Sequence, residues 1–166
     1  GDSGASSALS GSYDVTLNTA GTFAYIPYGA LESVQKCDVG ANDTLSNCSN
    51  SGASSLANPQ SITFNSAGTL AYIVNRDGGF GTPSVVKCDV SGVTGSLSSC
   101  ADAEASPSGL MDGAIDLAFN SSESQVFIST LTGGTGDNGA IIRCTVNNGG
   151  QFSNCSKIQT TLSCPF

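Results

Sequence analysis

The 166-residue sequence contains no histidine and no tryptophan, and it has only five lysines and arginines against thirteen aspartates and glutamates. A formal net charge of −8 with so few cations excludes nucleic-acid backbones and anionic lipid surfaces as partners, because both require clustered positive charge. Without histidine there is no imidazole base, no histidine-containing triad and no histidine-ligated zinc. No apolar run approaches the ~18 residues of a membrane-spanning helix. We therefore expect no nucleic-acid partner and no membrane insertion.

The residues that are abundant include 21 glycines and seven cysteines. Seven cysteines in a small acidic chain are typical of an oxidising compartment. The chain begins at Gly1, with neither a methionine nor a signal-like hydrophobic stretch, which fits a mature secreted chain. The alternative is a cytosolic protein with free thiols. We predict a secreted protein of the extracellular space or the cell surface.

Four Asn-x-Ser/Thr triplets are candidate N-glycosylation sites in a secreted chain. They are at Asn42, Asn47, Asn120 and Asn154. A chain rich in serine, threonine and asparagine also produces such triplets by chance, so the triplets indicate a possible glycoprotein only weakly.

Self-similarity is the strongest signal in the sequence. The segments VTLNTAGTFAYI (15–26), ITFNSAGTLAYI (62–73) and LAFNSSESQVFI (117–128) align with one another. Each is followed by a second signature, VQKCDV, VVKCDV or IIRCTV, and then by LSNC, LSSC or FSNC. The sequence thus predicts one β-repeat domain over residues 1–166 that holds three copies of a unit of about fifty residues. Repeat 1 covers about 1–49, repeat 2 about 50–100 and repeat 3 about 101–166.

Each repeat is predicted to form four antiparallel strands. Apolar residues alternate with small polar ones, which is the period of a half-buried strand. The Asn-x-Ala-Gly segments of the first two repeats are typical of turns and make a hairpin of the first two strands. The two cysteine-bearing runs supply a third and a fourth strand. No stretch shows sustained helical periodicity with caps, so we predict an all-β protein of β-propeller-blade-like repeats.

The cysteines of each repeat are eleven or twelve residues apart and flank a turn-rich loop. Two antiparallel strands joined by such a loop bring facing Cα atoms within disulfide range, so we predict the pairs Cys37–Cys48, Cys88–Cys100 and Cys144–Cys155. A cysteine-ligated metal site is the alternative, but no CxxC motif is present. Cys164 has no counterpart in the repeat, and it is either a free thiol or one half of an intermolecular disulfide.

The N-x-A-G-T-x-A-Y-I hairpin, followed by a V-x-x-C strand and a second cysteine, resembles the YVTN-type repeats of secreted bacterial β-propeller proteins. The resemblance covers nearly the whole chain. It implies a ring of four-stranded blades with a role in surface binding, adhesion or scaffolding. Rings generally contain about 4–8 blades, whereas three repeats are present. Either blades from several copies complete a ring or an open array, or the three repeats form a β-trefoil, although the Q-x-W signature of that fold is absent.

An unclosed set of blades presents unpaired strand edges. We expect that the N-terminal lead-in and the segment 157–163 pair with a neighbouring copy, which predicts a homo-oligomer or a polymer such as a filament.

Several equivalent positions carry candidate chemistry. Asp14 and Asp116 share a position that Ser61 occupies in repeat 2, and we expect them to be solvated strand-end carboxylates rather than residues that line a shared axis or bind Ca²⁺. The glycine-rich loops 77–81 and 132–139 could hold Ca²⁺ or a sugar, but simple long turns are favoured.

Two further sets recur in all three repeats. The cations Lys36, Lys87 and Arg143 precede the first cysteine, and we expect them to face solvent rather than to pair with the next repeat. A second set consists of Tyr25, Tyr72 and Phe127. We expect these rings in the core rather than in a sugar-stacking platform.

These features favour a non-enzymatic structural protein that assembles through its repeats. A serine nucleophile would lack both histidine and an S-x-x-K lysine, and three near-equal repeats do not concentrate one asymmetric site. We predict no catalytic residues, no metal and no cofactor. The alternative function is a lectin-like or adhesive module that binds glycans or proteins.

Overall fold

The computed structural model of the chain describes residues 12–78, 82–104, 109–131 and 139–159. These residues contain twelve strands, which we number in chain order. The strands are β1 (Thr16–Leu17), β2 (Phe23–Tyr28), β3 (Ser33–Val39), β4 (Leu45–Asn50), β5 (Pro59–Phe64), β6 (Leu70–Asn75), β7 (Val85–Val90), β8 (Leu97–Asp102), β9 (Ala114–Phe119), β10 (Gln125–Thr130), β11 (Ala140–Val146) and β12 (Phe152–Gln159). Two short 3₁₀ turns, Gly29–Leu31 and Ala41–Asp43, lie in the first repeat.

The strands form three separate four-stranded antiparallel sheets, each in simple chain order. We call them blade 1 (β1–β4), blade 2 (β5–β8) and blade 3 (β9–β12). The prediction of an all-β protein with one four-stranded sheet per repeat is confirmed. The β-trefoil alternative is wrong, because each repeat completes its own sheet instead of contributing strands to a common barrel.

The hairpin between the first two strands of each blade is closed by one asparagine. In blade 1 the Asn18 Oδ1 atom accepts hydrogen bonds from the backbone N–H groups of Thr22 (2.8 Å) and Phe23 (2.9 Å). Asn65 and Asn120 accept equivalent bonds in the other two blades. Because this side chain replaces missing ladder partners at the tight turn, the asparagine is the fixed residue of the repeated motif.

One disulfide joins the third and fourth strands of each blade, as predicted. The bridges are Cys37–Cys48, Cys88–Cys100 and Cys144–Cys155, with Cα–Cα distances of 4.0, 4.1 and 4.1 Å. The residue before each second cysteine has a positive φ, and the strand register shifts at the same place. Each bridge therefore lies at a β-bulge between the third and fourth strands of its blade, which we call the rim, and the first cysteine of each bridge is buried. Cys164 lies outside the described residues.

The core lies between the blades. One cluster of buried side chains fills the seam between blades 1 and 2, with Tyr25 at its blade 1 side. A second cluster fills the seam between blades 2 and 3, with Tyr72 and Phe152 at the interface. Tyr25 and Tyr72 are 0% and 1% exposed, as expected for core aromatics. Phe127, at the equivalent position of blade 3, is only partly buried.

Both seams are closed by the same two side-chain hydrogen bonds. The Tyr25 hydroxyl donates to the Gly95 carbonyl (2.6 Å), and the Lys36 ammonium donates to the Thr94 carbonyl (2.9 Å). Tyr72 and Lys87 make the corresponding bonds, at 2.9 and 2.8 Å, to the loop before β12. The expectation that these lysines face solvent is therefore wrong. Each lysine reaches across the seam because the next blade presents backbone carbonyls opposite its strand.

Burial of these phenols changes their ionisation. Desolvation raises the pKa of Tyr25 to about 12. Desolvation, together with the nearby Glu123 carboxylate, raises the pKa of Tyr72 to about 12 as well. Both hydroxyls therefore remain protonated donors across the seam over the whole neutral and mildly alkaline range.

Candidate functional site

The first strand of each blade, with the residues just before it, contributes to one shared cleft. Asp14, Ser61 and Asp116 occupy the same repeat position, and the structure brings them together around a cavity of about 340 Å³. The residues just before them in the chain complete the lining and are Tyr13, Gln60 and Ile115. We call this the inner-strand cleft. The shared-axis arrangement, which the sequence analysis treated as the less favoured interpretation of Asp14 and Asp116, is the one that the structure contains.

Asp14 is held in place across the seam between blades 1 and 2. Its Oδ2 atom accepts a hydrogen bond from the Thr16 hydroxyl (3.3 Å) and another from the backbone N–H of Ile62 in blade 2 (3.3 Å). The side chain is partly buried. Two donors on one oxygen fix the orientation of the carboxylate, while the structure gives its Oδ1 atom no partner among the described residues.

Ser61 lies at the same position in blade 2 and is only 6% exposed. Its hydroxyl has no hydrogen-bond partner among the described residues. A buried polar group without a partner carries a desolvation cost of about 1–3 kcal/mol, so its presence requires an explanation. A ligand in the cleft that exchanges a hydrogen bond with Ser61 Oγ would remove that cost.

The neighbouring Gln60 is also buried, and its amide is oriented by the chain before β5. The Nε2 group donates to the backbone carbonyl of Asn58 (3.1 Å) and to the Asn58 side-chain oxygen (2.9 Å). Both donor hydrogens are thus used within the protein, so Gln60 can offer a ligand only its oxygen. The sequence did not predict a role for Gln60, although this residue directly precedes Ser61, which the repeat alignment identified.

Asp116 is the exposed member of the cleft. Its Oδ1 atom accepts a hydrogen bond from the backbone N–H of Leu117 (2.9 Å). The cleft thus contains two carboxylates, one fixed and one accessible, and no lysine or arginine lines it. Within the described ranges, no group of three or more histidine, cysteine, aspartate or glutamate side chains is placed to hold a metal ion.

The other predicted sites are spread over the blades. Asn42, Asn47 and Asn154 are exposed on the loop before β4 and on the outer strands, and Asn120 closes its hairpin. The Asn47 amide also donates to Asp38 (2.9 Å), which lowers the pKa of that carboxyl together with the Lys36 charge. Whether these asparagines carry glycans stays a prediction. The glycine-rich loops 77–81 and 132–139 lie largely outside the described residues.

The sequence matches no protein-family model and no curated protein. The fold, in contrast, has clear relatives. A protein from Bacteroides uniformis named as a candidate 6-phosphogluconolactonase superposes with a TM-score of 0.65 and 14% identity, over 90% of this chain and 41% of that one. The periplasmic gluconolactonase PpgL of Pseudomonas aeruginosa superposes with a TM-score of 0.61 and 16% identity, over 90% of this chain and 39% of that one.

A second candidate 6-phosphogluconolactonase, from Bacteroides fragilis, gives a TM-score of 0.62 at 15% identity and covers 90% of this chain. The chain spans about two fifths of the length of these solved structures. At such low identity the likeness describes the fold. It supports the β-propeller-like architecture that the repeat implied, but it does not extend to the YVTN-type family.

These comparisons contradict the prediction of a non-enzymatic structural protein, together with its lectin-like alternative. Three of the proteins with this fold are named as lactonases or candidate lactonases rather than as structural or adhesive proteins, and at 14–16% identity the likeness to this chain extends to the fold alone. The three disulfides indicate an oxidising compartment, either extracellular or periplasmic. In the described part of the chain, no helix has the length and apolarity needed to cross a membrane. The comparisons thus identify a β-propeller-like fold.

Proposed function

We propose that the protein binds a neutral sugar lactone in the inner-strand cleft and hydrolyses it. The observation that carries the proposal is the convergence on one cavity of a fixed carboxylate, Asp14, and a buried hydroxyl, Ser61, that has no partner in the described part of the chain. The cavity volume of about 340 Å³ is in the range of small-molecule sites. The enzyme names of the structural neighbours support the same reaction class.

The charge of the cleft favours an uncharged substrate. Asp14 and Asp116 bring two negative charges, and no cation lines the cavity to offset a phosphate. A polyhydroxylated ring suits these groups, because its hydroxyls donate to carboxylates and to the Gln60 oxygen. We therefore expect a neutral aldonolactone to be a better substrate than its phosphorylated counterpart.

The reaction needs only a proton shuttle and a donor to the carbonyl. The Asp14 carboxylate accepts a proton from water as the water oxygen attacks the lactone carbonyl carbon. The Ser61 hydroxyl donates a hydrogen bond to the oxyanion that forms. Collapse of this intermediate breaks the ring C–O bond, and Asp14 returns its proton to the departing alkoxide. Asp116 holds substrate hydroxyls at the open side of the cleft.

The finer localisation that we propose is extracellular or at the cell surface, where neutral sugar lactones are accessible without transport. The supporting observation is that every described cysteine is in a disulfide. A matched pair of secreted and periplasmic fractions, probed with an antibody to the chain, distinguishes the two compartments.

The experiment is a pH-stat assay of δ-gluconolactone hydrolysis near pH 6, where the spontaneous reaction is slow. We expect a rate above that of buffer, and a fall in kcat/KM of about 100-fold in Asp14→Asn, since general-base catalysis contributes about 10²–10⁴-fold. Asp89→Asn is the matched control, because Asp89 is an exposed carboxylate of β7 away from the cleft. A wild-type rate equal to buffer, or equal losses in both variants, would overturn the proposal.

A further inference from the structure

The two seams inside the molecule follow one rule. The loop between the third and fourth strands of a blade receives the tyrosine hydroxyl and the lysine ammonium of the preceding blade. The loop residue that meets the tyrosine is a glycine, Gly95 or Gly150. A Cβ atom on Gly95 would lie 2.8 Å from the Tyr25 hydroxyl oxygen and 2.7 Å from the Phe23 ring, so the contact excludes a side chain there.

Blade 1 has the same loop but no blade before it among the described residues. Its glycine position is occupied by Asp43, whose φ of 57° matches the 67° of Gly95 and the 73° of Gly150. Asp43 is exposed on the loop. The loop backbone therefore matches the receiving loops at this residue, although Asn42 before it also has a positive φ, unlike Thr94 and Gly149. At the matching residue the loop carries a carboxylate in place of a hydrogen atom.

Blade 3 differs from blades 1 and 2 at the positions that contact the loop of the next blade. Phe127 replaces the seam tyrosine, and therefore lacks the hydroxyl that would collide with a Cβ atom. Gln125 replaces the Phe23 ring that crowds the same point. Arg143 replaces the seam lysine and is exposed. Both faces thus differ from the internal seams. The blade 1 loop has a carboxylate where the seam loops have glycine. The blade 3 face has a guanidinium in place of the ammonium and lacks the tyrosine hydroxyl and the phenylalanine ring.

In blade 1, residues equivalent to buried seam residues are more exposed, which leaves this face open to the same contact. Leu97 and Phe152, which follow the loops of blades 2 and 3, are 3% and 0% exposed in the seams, whereas the equivalent Leu45 is partly exposed. A Cβ atom on Gly68 would collide with the Thr19 hydroxyl of blade 1. On the equivalent Gly21 it would meet nothing within 4 Å.

We infer that the blade 3 face of one copy of the chain docks on the blade 1 loop of a second copy, with Arg143 paired to Asp43. The occupant is a second copy because the two faces hold the same strand and loop positions that meet in the internal seams, and the residues that differ there are complementary in charge. This contact goes beyond the proposed lactone chemistry, and neither depends on the other. Like charges placed across such a contact cost several kcal/mol, so reversing one partner breaks it.

The test uses Arg143→Asp, Asp43→Arg and their equimolar mixture in sedimentation velocity at low salt. We expect the wild-type mass to rise above 16.5 kDa with concentration, and each single variant to associate at least about tenfold more weakly. Mixing the two variants restores association, since every contact between unlike copies again joins opposite charges. Asp89→Arg, which makes the same charge change on the blade 2 rim, is the matched control and associates like wild type.

Circular dichroism melts establish that each variant is folded, and restoration in the mixture is informative even if one variant is less stable. A wild-type mass of 16.5 kDa at every soluble concentration overturns the inference. So does a mixture that associates no better than its separate components.

Discussion

The rim of each blade and the inner strands differ in how closely the three repeats agree. On the rim, all three blades carry the disulfide, its β-bulge and a cation before the first cysteine. On the inner strands the equivalent residues are Asp14, Ser61 and Asp116, and the residues that precede them are of three different types, tyrosine, glutamine and isoleucine. Every sheet must make the same bonds to fold, whereas a shared cleft needs each functional group only once. Divergence between the repeats is therefore what we expect at the lactone site that we propose for this cleft.

Removal of one rim disulfide is the largest expected effect on stability. In Cys88→Ser/Cys100→Ser the free energy of unfolding falls by about 3 kcal/mol, because the unfolded chain regains the entropy of an open loop. Urea titration measures this loss. The variant Asp116→Asn, at the exposed member of the cleft, changes the same quantity by less than about 0.5 kcal/mol. Equal losses in the disulfide variant and in Asp116→Asn would contradict the difference between rim and cleft.

Raising the pH tests how much the tyrosines of the two seams contribute to stability. An unfolded tyrosine titrates near 10, whereas the pKa of Tyr25 and that of Tyr72 are raised to about 12. From pH 10 to pH 12 the unfolded chain therefore releases protons that the native protein keeps, and stability falls as pH rises. The expected loss is on the order of 2 kcal/mol per tyrosine.

Urea titrations at a series of pH values measure this slope. Tyr25→Phe removes about half of this pH dependence, since Tyr72 keeps its share, while Tyr13→Phe, at a 64% exposed site, leaves it intact and is the matched control. An unchanged slope in Tyr25→Phe would show that the seam phenols do not govern alkaline stability.

A further comparison is at Ser61, where the sign of the change in stability distinguishes the cleft from the rim. Ser61→Ala removes a buried hydroxyl that has no partner among the described residues, so the unfolding free energy rises by up to about 1 kcal/mol. The same change lowers lactone hydrolysis, because the oxyanion loses a donor. Thermal melts and the pH-stat assay measure the two effects on one sample. A loss of stability would mean that the hydroxyl is already satisfied in the folded protein.

The sequence was sufficient to predict the structure within each repeat. Cysteine spacing predicted the three disulfides, and the recurring asparagine and glycine predicted the hairpins, because both features are local. The cleft depends on how adjacent blades pack against one another. The equivalence of Asp14 and Asp116 was visible in the alignment, but their approach to one cavity depends on blade geometry that no single repeat encodes. The lysine bonds across the seams were missed for the same reason.

The order of the cysteines has a consequence for how the chain is made. In each blade the partner of a cysteine is the next cysteine in the sequence, eleven or twelve residues later. Within this sequence, each native pair of thiols is complete before the first cysteine of the next pair is reached from the N-terminal side. Oxidative maturation can therefore keep pace with export, blade by blade, without a disulfide isomerase to correct mispairing.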